Sequence, residues 1–332
     1  MAETSEQVPP LRFGIVGTGF ISDWFVDACL RAGGVPVGVA SRDLERGRRF
    51  ASRHSLTTVA TSVGEMVGGD DIDAVYVASP IASHYDHTAC ALAAGKHVLC
   101  EKTLTTSVAR VDGLFDLAAR YDVVLLEAVR PVHDPVYRAI ADALPALGAV
   151  RHAHFEKCQY SSRYPAFLRG EVLNALDPAS GNSALRDIGV YCLHPALTLF
   201  GEPTGFSAAD YRLDNGFEAG GSVLLDYGSM SVTCTYSKVA RSVTPSVIEG
   251  EAGSMTIDSI ADPGTVNIIR LDGTVERVLS GAPKAPDETL HYPVEEFLRL
   301  VATDNVHHRH RAQSVAAERI MSGVLRRDGR PW

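Results

Sequence analysis

Between Leu11 and Glu127 short apolar runs alternate with longer amphipathic stretches, and this alternation restricts the fold more than any other feature of the chain. The spacing predicts strands at Leu11–Gly17, Val35–Ala40, Ala74–Ala78, His97–Cys100 and Val123–Glu127. Helices are expected between them, at Ile21–Ala32, Leu44–His54, His84–Ala94 and Ser107–Tyr121. Strands separated by helices of this length imply a parallel sheet covered on both faces. Crossovers this short, with few breakers, fit a doubly wound sheet.

The pattern changes after Arg130. Pro131 and Pro135 punctuate it, and a helix at Val136–Leu144 and a strand at Val150–Tyr160 follow. A loop rich in Ser, Asn and Gly leads to a helix from Leu185 to Phe200. From Phe206 to Leu279 strands are expected at Ser222–Tyr227, Met230–Tyr236, Ser246–Glu249, Ser254–Ile257, Val266–Leu271 and Val275–Leu279. Turn signals such as Asp272-Gly273 and Gly250–Gly253 join them as hairpins. Helices at Val294–Thr303 and Ala312–Arg326 end the chain. The fold class is therefore α/β: an N-terminal doubly wound parallel sheet plus a C-terminal α+β domain with a large, mainly antiparallel open sheet. The expected division is a disordered leader over 1–10, a nucleotide-type domain over 11–130 and an α+β domain over 131–332.

Composition narrows the function. Of 332 residues, 45% are hydrophobic, enough for a sizeable core. A net charge of −9 argues against general nucleic-acid or anionic-membrane binding. No apolar run is long enough to span a membrane, and the polar stretch Met1–Pro10 does not read as a secretory signal. The six cysteines form no Cys-x-x-Cys pair, which fits a reduced cytoplasmic protein.

Gly17-Thr18-Gly19-Phe20-Ile21-Ser22 lies where the first strand meets the first helix. The two glycines permit a tight turn and close backbone approach to a pyrophosphate, which the helix N-terminus would bind. Ser22 replaces the third glycine and is still small. At the end of the second strand, about 20 positions on, an acidic residue would bind the ribose of NAD. Ser41 and Arg42 stand there instead, with Asp43 one step later. A hydroxyl and a guanidinium suit a 2′-phosphate, which favours NADP(H), with NAD(H) possible. The alternative is a solvated Arg42 and an Asp43 that merely caps the next helix.

Glu101-Lys102 follows a parallel strand, where ligands meet such a sheet. Asp187, Tyr191 and His194 stand at helical spacing, so one helix face is expected to carry all three. Gly189 between them leaves room for another group. The ordinary alternatives are a surface ion pair at Lys102 and buried polar groups at Tyr191 and His194.

The glycine loop, the turn from Ala78-Ser79-Pro80 to His84, the run Ala94–Lys102 and Asp187-Ile188-Gly189-Val190-Tyr191 together resemble the glucose–fructose oxidoreductase / inositol 2-dehydrogenase (Gfo/Idh/MocA) family. Tyr at the fourth position after Asp is similar to the dihydrodiol and NADP-xylose dehydrogenase branch. The resemblance implies catalytic roles for Lys102, Asp187 and Tyr191. Cofactor contacts are expected at Gly17, Thr18, Gly19, Phe20, Ile21, Ser41, Arg42, Ser79, Pro80, His84, Glu101 and Lys102. The resemblance also places His194 where relatives carry a substrate-contacting residue. One departure is Thr103, where the family usually has Pro after its Glu-Lys pair.

The expected activity is NADP-dependent hydride transfer between nicotinamide C4 and a CH–OH or C=O carbon of a sugar, inositol or similar polyol. A phenol ionising near 10 is a poor base at neutrality, and a nearby ammonium makes it a better one. Tyr191 is thus read as acid–base and Lys102 as its electrostatic partner; the reverse assignment stays open. Asp187 would orient the lysine or a substrate hydroxyl. The loop Gln159–Tyr164 offers Tyr160 and Arg163 as substrate contacts, and Arg130 is a further one. His307-His308-Arg309-His310 reads as a solvated turn, and no metal is expected. The other readings are a ketone or imine reductase and a non-catalytic nucleotide-sensing protein. Partners are expected to be a small polyol or carbonyl compound and further copies of the chain. A dimer or tetramer would pair through the C-terminal sheet, unless that sheet's outer face is polar.

Overall fold

The segment Arg12–Val16 has apolar side chains on both sides of the backbone, so it can only sit inside a sheet. In the computed structural model, which describes residues 9–171 and 173–326, it is the first strand, β1. Most of the expected leader (1–8) lies outside the described residues. With β2 (Val35–Ala40), β3 (Thr58–Ala60), β4 (Ala74–Val77), β5 (His97–Glu101) and β6 (Leu125–Ala128) it forms a six-stranded sheet in the order β3-β2-β1-β4-β5-β6. All the pairings are parallel. The helices Phe20–Ala32, Leu44–His54, Ile81–Ala93 and Val108–Arg120 lie between successive strands. The order reverses between β1 and β4, and the C-terminal ends of these strands open a crevice there. Between β2 and β4 the sequence pattern misses β3 and the one-turn helix Val63–Val67 that follows it.

The second sheet holds eight strands. They are β7 (Val150–Cys158), β8 (Gly205–Arg212), β9 (Glu218–Asp226), β10 (Ser231–Ser237), β11 (Ser246–Gly250), β12 (Gly253–Ile257), β13 (Val266–Arg270) and β14 (Val275–Leu279). Their order is β14-β13-β12-β11-β7-β10-β9-β8. The pair β7·β10 is parallel and the others are antiparallel. One face buries Phe155, Val223, Cys234, Ile248, Met255 and Ile268. Against them pack Ile140, Leu193, Leu197, Ile320 and Val324 from three helices, Val136–Ala143, Val190–Phe200 and His310–Leu325. Each such side chain contributes about 1.5–3 kcal/mol of burial.

The opposite face carries His152, His154, Ser222, Thr233, Thr235, Ser254 and Thr256, with Leu224, Val247 and Ile269 interspersed. His154 contacts the Thr235 hydroxyl at 3.2 Å, and Ser222 contacts the same hydroxyl at 3.1 Å. The face is mainly polar, so apolar exposure supplies no demand for a subunit to cover it.

The chain then returns to its start. The helix His291–Ala302 sets Val294, Phe297 and Leu300 into the core of the first domain. Phe297 lies 5.8 Å from Phe13 of β1, ring to ring. The segment assigned to the second domain therefore completes the core of the first. His308 and His310 are buried rather than solvated. His308 meets the Leu125 carbonyl at 2.8 Å and His310 meets Glu296 at 2.9 Å. Their rings lie 5.3 Å apart, each with its own hydrogen-bond partner. Among the described residues no helix is long and apolar enough to cross a membrane.

Candidate active site

At the β1 turn, Gly17 has φ of +109°, and a Cβ there would stand 2.7 Å from the Ala78 carbonyl oxygen. Only glycine fits. Gly19 is the extended N-cap of Phe20–Ala32 and no side chain caps that helix. No protein atom lies within 4 Å of where a Cβ on Gly19 would stand. The helix start thus has no side-chain cap and has room beside Gly19, as a pyrophosphate cradle requires. Ser22, in the third small position, is fully buried.

At the end of β2, Asp43 caps Leu44–His54 by accepting the Arg46 N–H at 3.0 Å, and Arg42 is exposed. Arg46, one turn beyond Arg42, donates to the Thr18 carbonyl at 3.3 Å. It brings a second guanidinium to the glycine loop, which sequence reading missed. The available signal was its place in the first turn of the helix that Asp43 caps, just after Arg42.

Lys102 is the first residue after β5. The bond to Thr103 is cis. The Thr103 hydroxyl donates to the Arg186 carbonyl at 3.1 Å, and the Thr103 carbonyl meets His84 Nδ1 at 2.9 Å. Thr103 is thus pinned on both sides without the proline ring. Lys102 Nζ donates to Asp187 Oδ1 and to the Asp187 carbonyl, each at 2.9 Å. It also lies 5.0 Å from the centre of the Tyr191 ring. The sequence-predicted trio Lys102, Asp187 and Tyr191 therefore meets in one place.

Asp187 sits on a single π turn, Leu185–Gly189, that precedes the helix Val190–Phe200. Such turns recur at functional sites. Glu218 accepts the Leu185 N–H at 2.9 Å and Ser183 accepts the Arg186 N–H at 3.1 Å, which fix the turn's start. A Cβ on Gly189 would meet the Tyr236 ring at 2.9 Å, so the approaching group is a core tyrosine.

The other Asp187 oxygen is taken by Lys238, whose Nζ donates at 2.6 Å. Burial alone would raise the Asp187 pKa, but Lys102 and Lys238 outweigh it and hold the carboxyl well below its usual range. Burial likewise works against the Lys102 ammonium; Asp187, then Tyr191 and Glu101, overcome it and raise its pKa. Glu101 accepts a hydrogen bond from Tyr76 at 2.6 Å, and burial raises its pKa despite that bond and Lys102.

Glu101, Lys102, Asp187 and Tyr191 line a cleft of about 540 Å³ between the two sheets' domains. Phe20, Ile21, Ser79, Pro80, His84, Glu101 and Lys102 border it from the nucleotide side. Lys157, Gln159, Asn174, Asp187, Tyr191 and Asp262 border it from the other. Arg130 also lines it, ion-paired to Asp262 and donating to the Thr289 hydroxyl at 2.5 Å. Its guanidinium stands 5.8 Å from the centre of the Tyr191 ring. Lys157, Asp262, Gln159 and Asn174 were not foreseen.

Three predicted contacts stand elsewhere. Tyr160 and Arg163 are exposed outside the cleft lining; Tyr160 packs on Tyr164 at 5.6 Å, and only Gln159 of that loop reaches the cleft. His194 is sealed in the core, 3.9 Å from Glu127, and burial pushes its imidazole down to about 3. The π turn widens the helix at Asp187, and His194, a turn beyond Tyr191, faces inward. His84 lines the cleft, but both ring nitrogens are engaged by carbonyls, Thr103 at 2.9 Å and Ser79 at 2.6 Å. Burial lowers its pKa against the pull of those carbonyls. Its geometry suits holding Thr103 in place.

Comparison with known proteins agrees with this layout. Residues 11–129 match the model of the GFO/IDH/MocA oxidoreductase family, NAD-binding Rossmann fold, and residues 140–256 match that of the GFO/IDH/MocA C-terminal domain. The chain is 37% identical over 292 residues to the scyllo-inositol 2-dehydrogenase (NADP(+)) IolU of Bacillus subtilis, covering 88% of each chain. It is 31% identical to a trans-1,2-dihydrobenzene-1,2-diol dehydrogenase of Xenopus laevis, with 75% of each covered. A 3-ketoreductase of Actinomadura kijaniata, solved with TDP-benzene and NADP, superposes with a TM-score of 0.80 at 25% identity, covering 96% of this chain and 97% of that one. A glycine loop built for a dinucleotide, a lysine–aspartate–tyrosine cleft at the strand ends and these matches over both domains lead to one conclusion: the chain is an oxidoreductase of the GFO/IDH/MocA family, with an NAD-binding Rossmann domain.

Proposed function

We propose that the protein is an NADP-dependent dehydrogenase or reductase that interconverts a secondary alcohol and a ketone on a cyclic polyol or sugar. The observation that carries this reading is the meeting of Lys102, Asp187 and Tyr191 in the cleft at the ends of the parallel strands. The cofactor, when bound, supplies the hydride acceptor or donor. The glycine loop would hold its pyrophosphate, and Ser41, Arg42 and Arg46 its 2′-phosphate.

The substrate carbinol would lie between Lys102 and Tyr191. Lys102 gives two N–H bonds to Asp187, which leaves one for the substrate oxygen. Tyr191 takes the alcohol proton in oxidation and returns it in reduction. Asp187 holds Lys102 in place. Arg130, Gln159 and Asn174 offer donors and acceptors for the remaining hydroxyls. The similarity to a scyllo-inositol dehydrogenase supports a cyclic polyol.

The unpaired state of all six cysteines accords with a reducing compartment such as the cytoplasm. Self-association through the second sheet would have to be hydrogen-bonded rather than apolar, given the outer face.

A screen of inositols, aldoses and cyclic diols with NADP, and of their ketones with NADPH, followed at the reduced nicotinamide absorbance, tests the proposal. Turnover with a polyol supports it. NADPH binding with no turnover across the panel would make the protein a nucleotide-sensing binder instead.

A further inference from the structure

Lys238 follows β10 directly and belongs to none of the motifs that mark this site. Its side chain is nonetheless buried, 3% exposed, and points at the reacting groups. Nζ donates to Asp187 Oδ2 at 2.6 Å and to the Ala175 carbonyl at 2.9 Å, and lies 5.6 Å from the centre of the Phe217 ring. Its backbone is fixed as well: its N–H donates to the Ala219 carbonyl at 2.9 Å and its carbonyl accepts from Ser161 at 2.8 Å.

We infer that Lys238 is a positioning residue for the reaction, acting through Asp187. A carboxylate paired with one ammonium can turn about its last bond or offer its free oxygen to the substrate. Asp187 has neither freedom, because Lys102 occupies Oδ1 and Lys238 occupies Oδ2. Lys102 is thereby held with a single N–H directed away from Asp187. Lys238 itself does not line the cleft and reaches it through Asp187 and the Ala175 carbonyl.

The second effect is electrostatic. Lys238 adds positive charge to a corner where negative charge develops on oxygen during proton loss, against the carboxylates of Asp187 and Glu101. The other charged groups facing the corner are Glu101 under Lys102, and the Arg130–Asp262 pair across the Tyr191 ring with Lys157 3.6 Å from Asp262. Lys238 also ties the turn Asn174–Leu176 to Asp187, so one side chain joins the cleft wall to the reacting centre.

The inference rests on the proposed roles of Lys102, Asp187 and Tyr191, and the test separates the two. Lys238→Met, Lys238→Arg and Tyr191→Phe are compared with the unaltered protein, using scyllo-inositol and NADP or the best substrate of the screen. Thermal midpoint, NADPH affinity, kcat, KM and the pH profile of alcohol oxidation are measured. Lys238→Met should bind NADPH unchanged and lose roughly tenfold or more in kcat. Its rising limb should move to higher pH, and Lys238→Arg should recover much of the rate. If Lys238→Met does not fold, Lys238→Gln removes the charge with a smaller change and is read the same way. A folded Lys238→Met with lowered thermal midpoint but unaltered kcat and pH profile overturns the inference and leaves a structural ion pair. Full turnover in Tyr191→Phe would overturn the reading of the site beneath it.

Discussion

Two cations stand near the Tyr191 ring, the Lys102 ammonium 5.0 Å from its centre and the Arg130 guanidinium 5.8 Å from it. Positive charge is thus fixed beside the ring to which the proposed mechanism gives the proton transfer. Each cation is itself anchored, Lys102 by Asp187 and Arg130 by Asp262, so neither is free to swing out to solvent.

Removing the hydroxyl keeps the ring and its packing. Tyr191→Phe should therefore lower turnover by about 10²–10⁴-fold and leave NADPH affinity nearly intact. Steady-state rates and fluorescence titration check both halves; an unchanged rate takes Tyr191 out of the chemistry.

Discrimination between the two dinucleotides should reside in the arginines after β2. Arg42→Ala and Arg46→Ala should each weaken NADP by about 1.5 kcal/mol or more, the worth of a charge-assisted bond, and leave NAD unaffected. The ratio of kcat/KM for NADP to that for NAD is the measurement. If both ratios stay constant, the 2′-phosphate is held elsewhere.

Breaking the buried pair at the cleft should cost stability. The Arg130 and Asp262 side chains are 8% and 9% exposed. Asp262→Asn strips the guanidinium of its counter-charge and should cost on the order of 3 kcal/mol in urea unfolding. A loss below about 1 kcal/mol would mean that water reaches Arg130 more freely than its burial indicates.

Glu218 gives a pH signature. Burial raises its carboxyl from 4.5 to about 7. The folded state therefore holds a proton that the unfolded state has already released. Its contribution is complete below about 4.5 and is lost as pH climbs through 7, on the order of 3 kcal/mol over the window. Glu218→Gln should flatten the fall in thermal midpoint between pH 5 and 7 relative to the unaltered protein. Parallel curves for the two proteins would show that Glu218 titrates normally.

Much of this molecule was readable from its residues. β1, β2, β4 and β5 carry apolar side chains bounded by helices of clear periodicity, and their expected limits fall within about one residue of those observed. β3 has three residues, too few for a period. β8 was missed because it is an edge strand in which Ala208 alone is buried, so it has little apolar contrast. Lys102, Asp187 and Tyr191 stood out because local motifs surround them. Lys238 had no such setting; its partner is 51 residues away, and only the fold brings them together. Tyr160 and Arg163 were chosen for their chemistry, but their direction depends on a loop path that no local pattern encodes. His194 was placed by ideal helical spacing, which the π turn at Leu185–Gly189 interrupts.

The contact between Phe13 and Phe297 joins residues from β1 and from the helix His291–Ala302, far apart in the sequence. A nascent chain that has released all six strands of the parallel sheet still lacks Val294, Phe297 and Leu300 from that sheet's apolar packing. The parallel sheet cut off before His291 would therefore lack part of its apolar packing and is expected to be less stable than in the full chain.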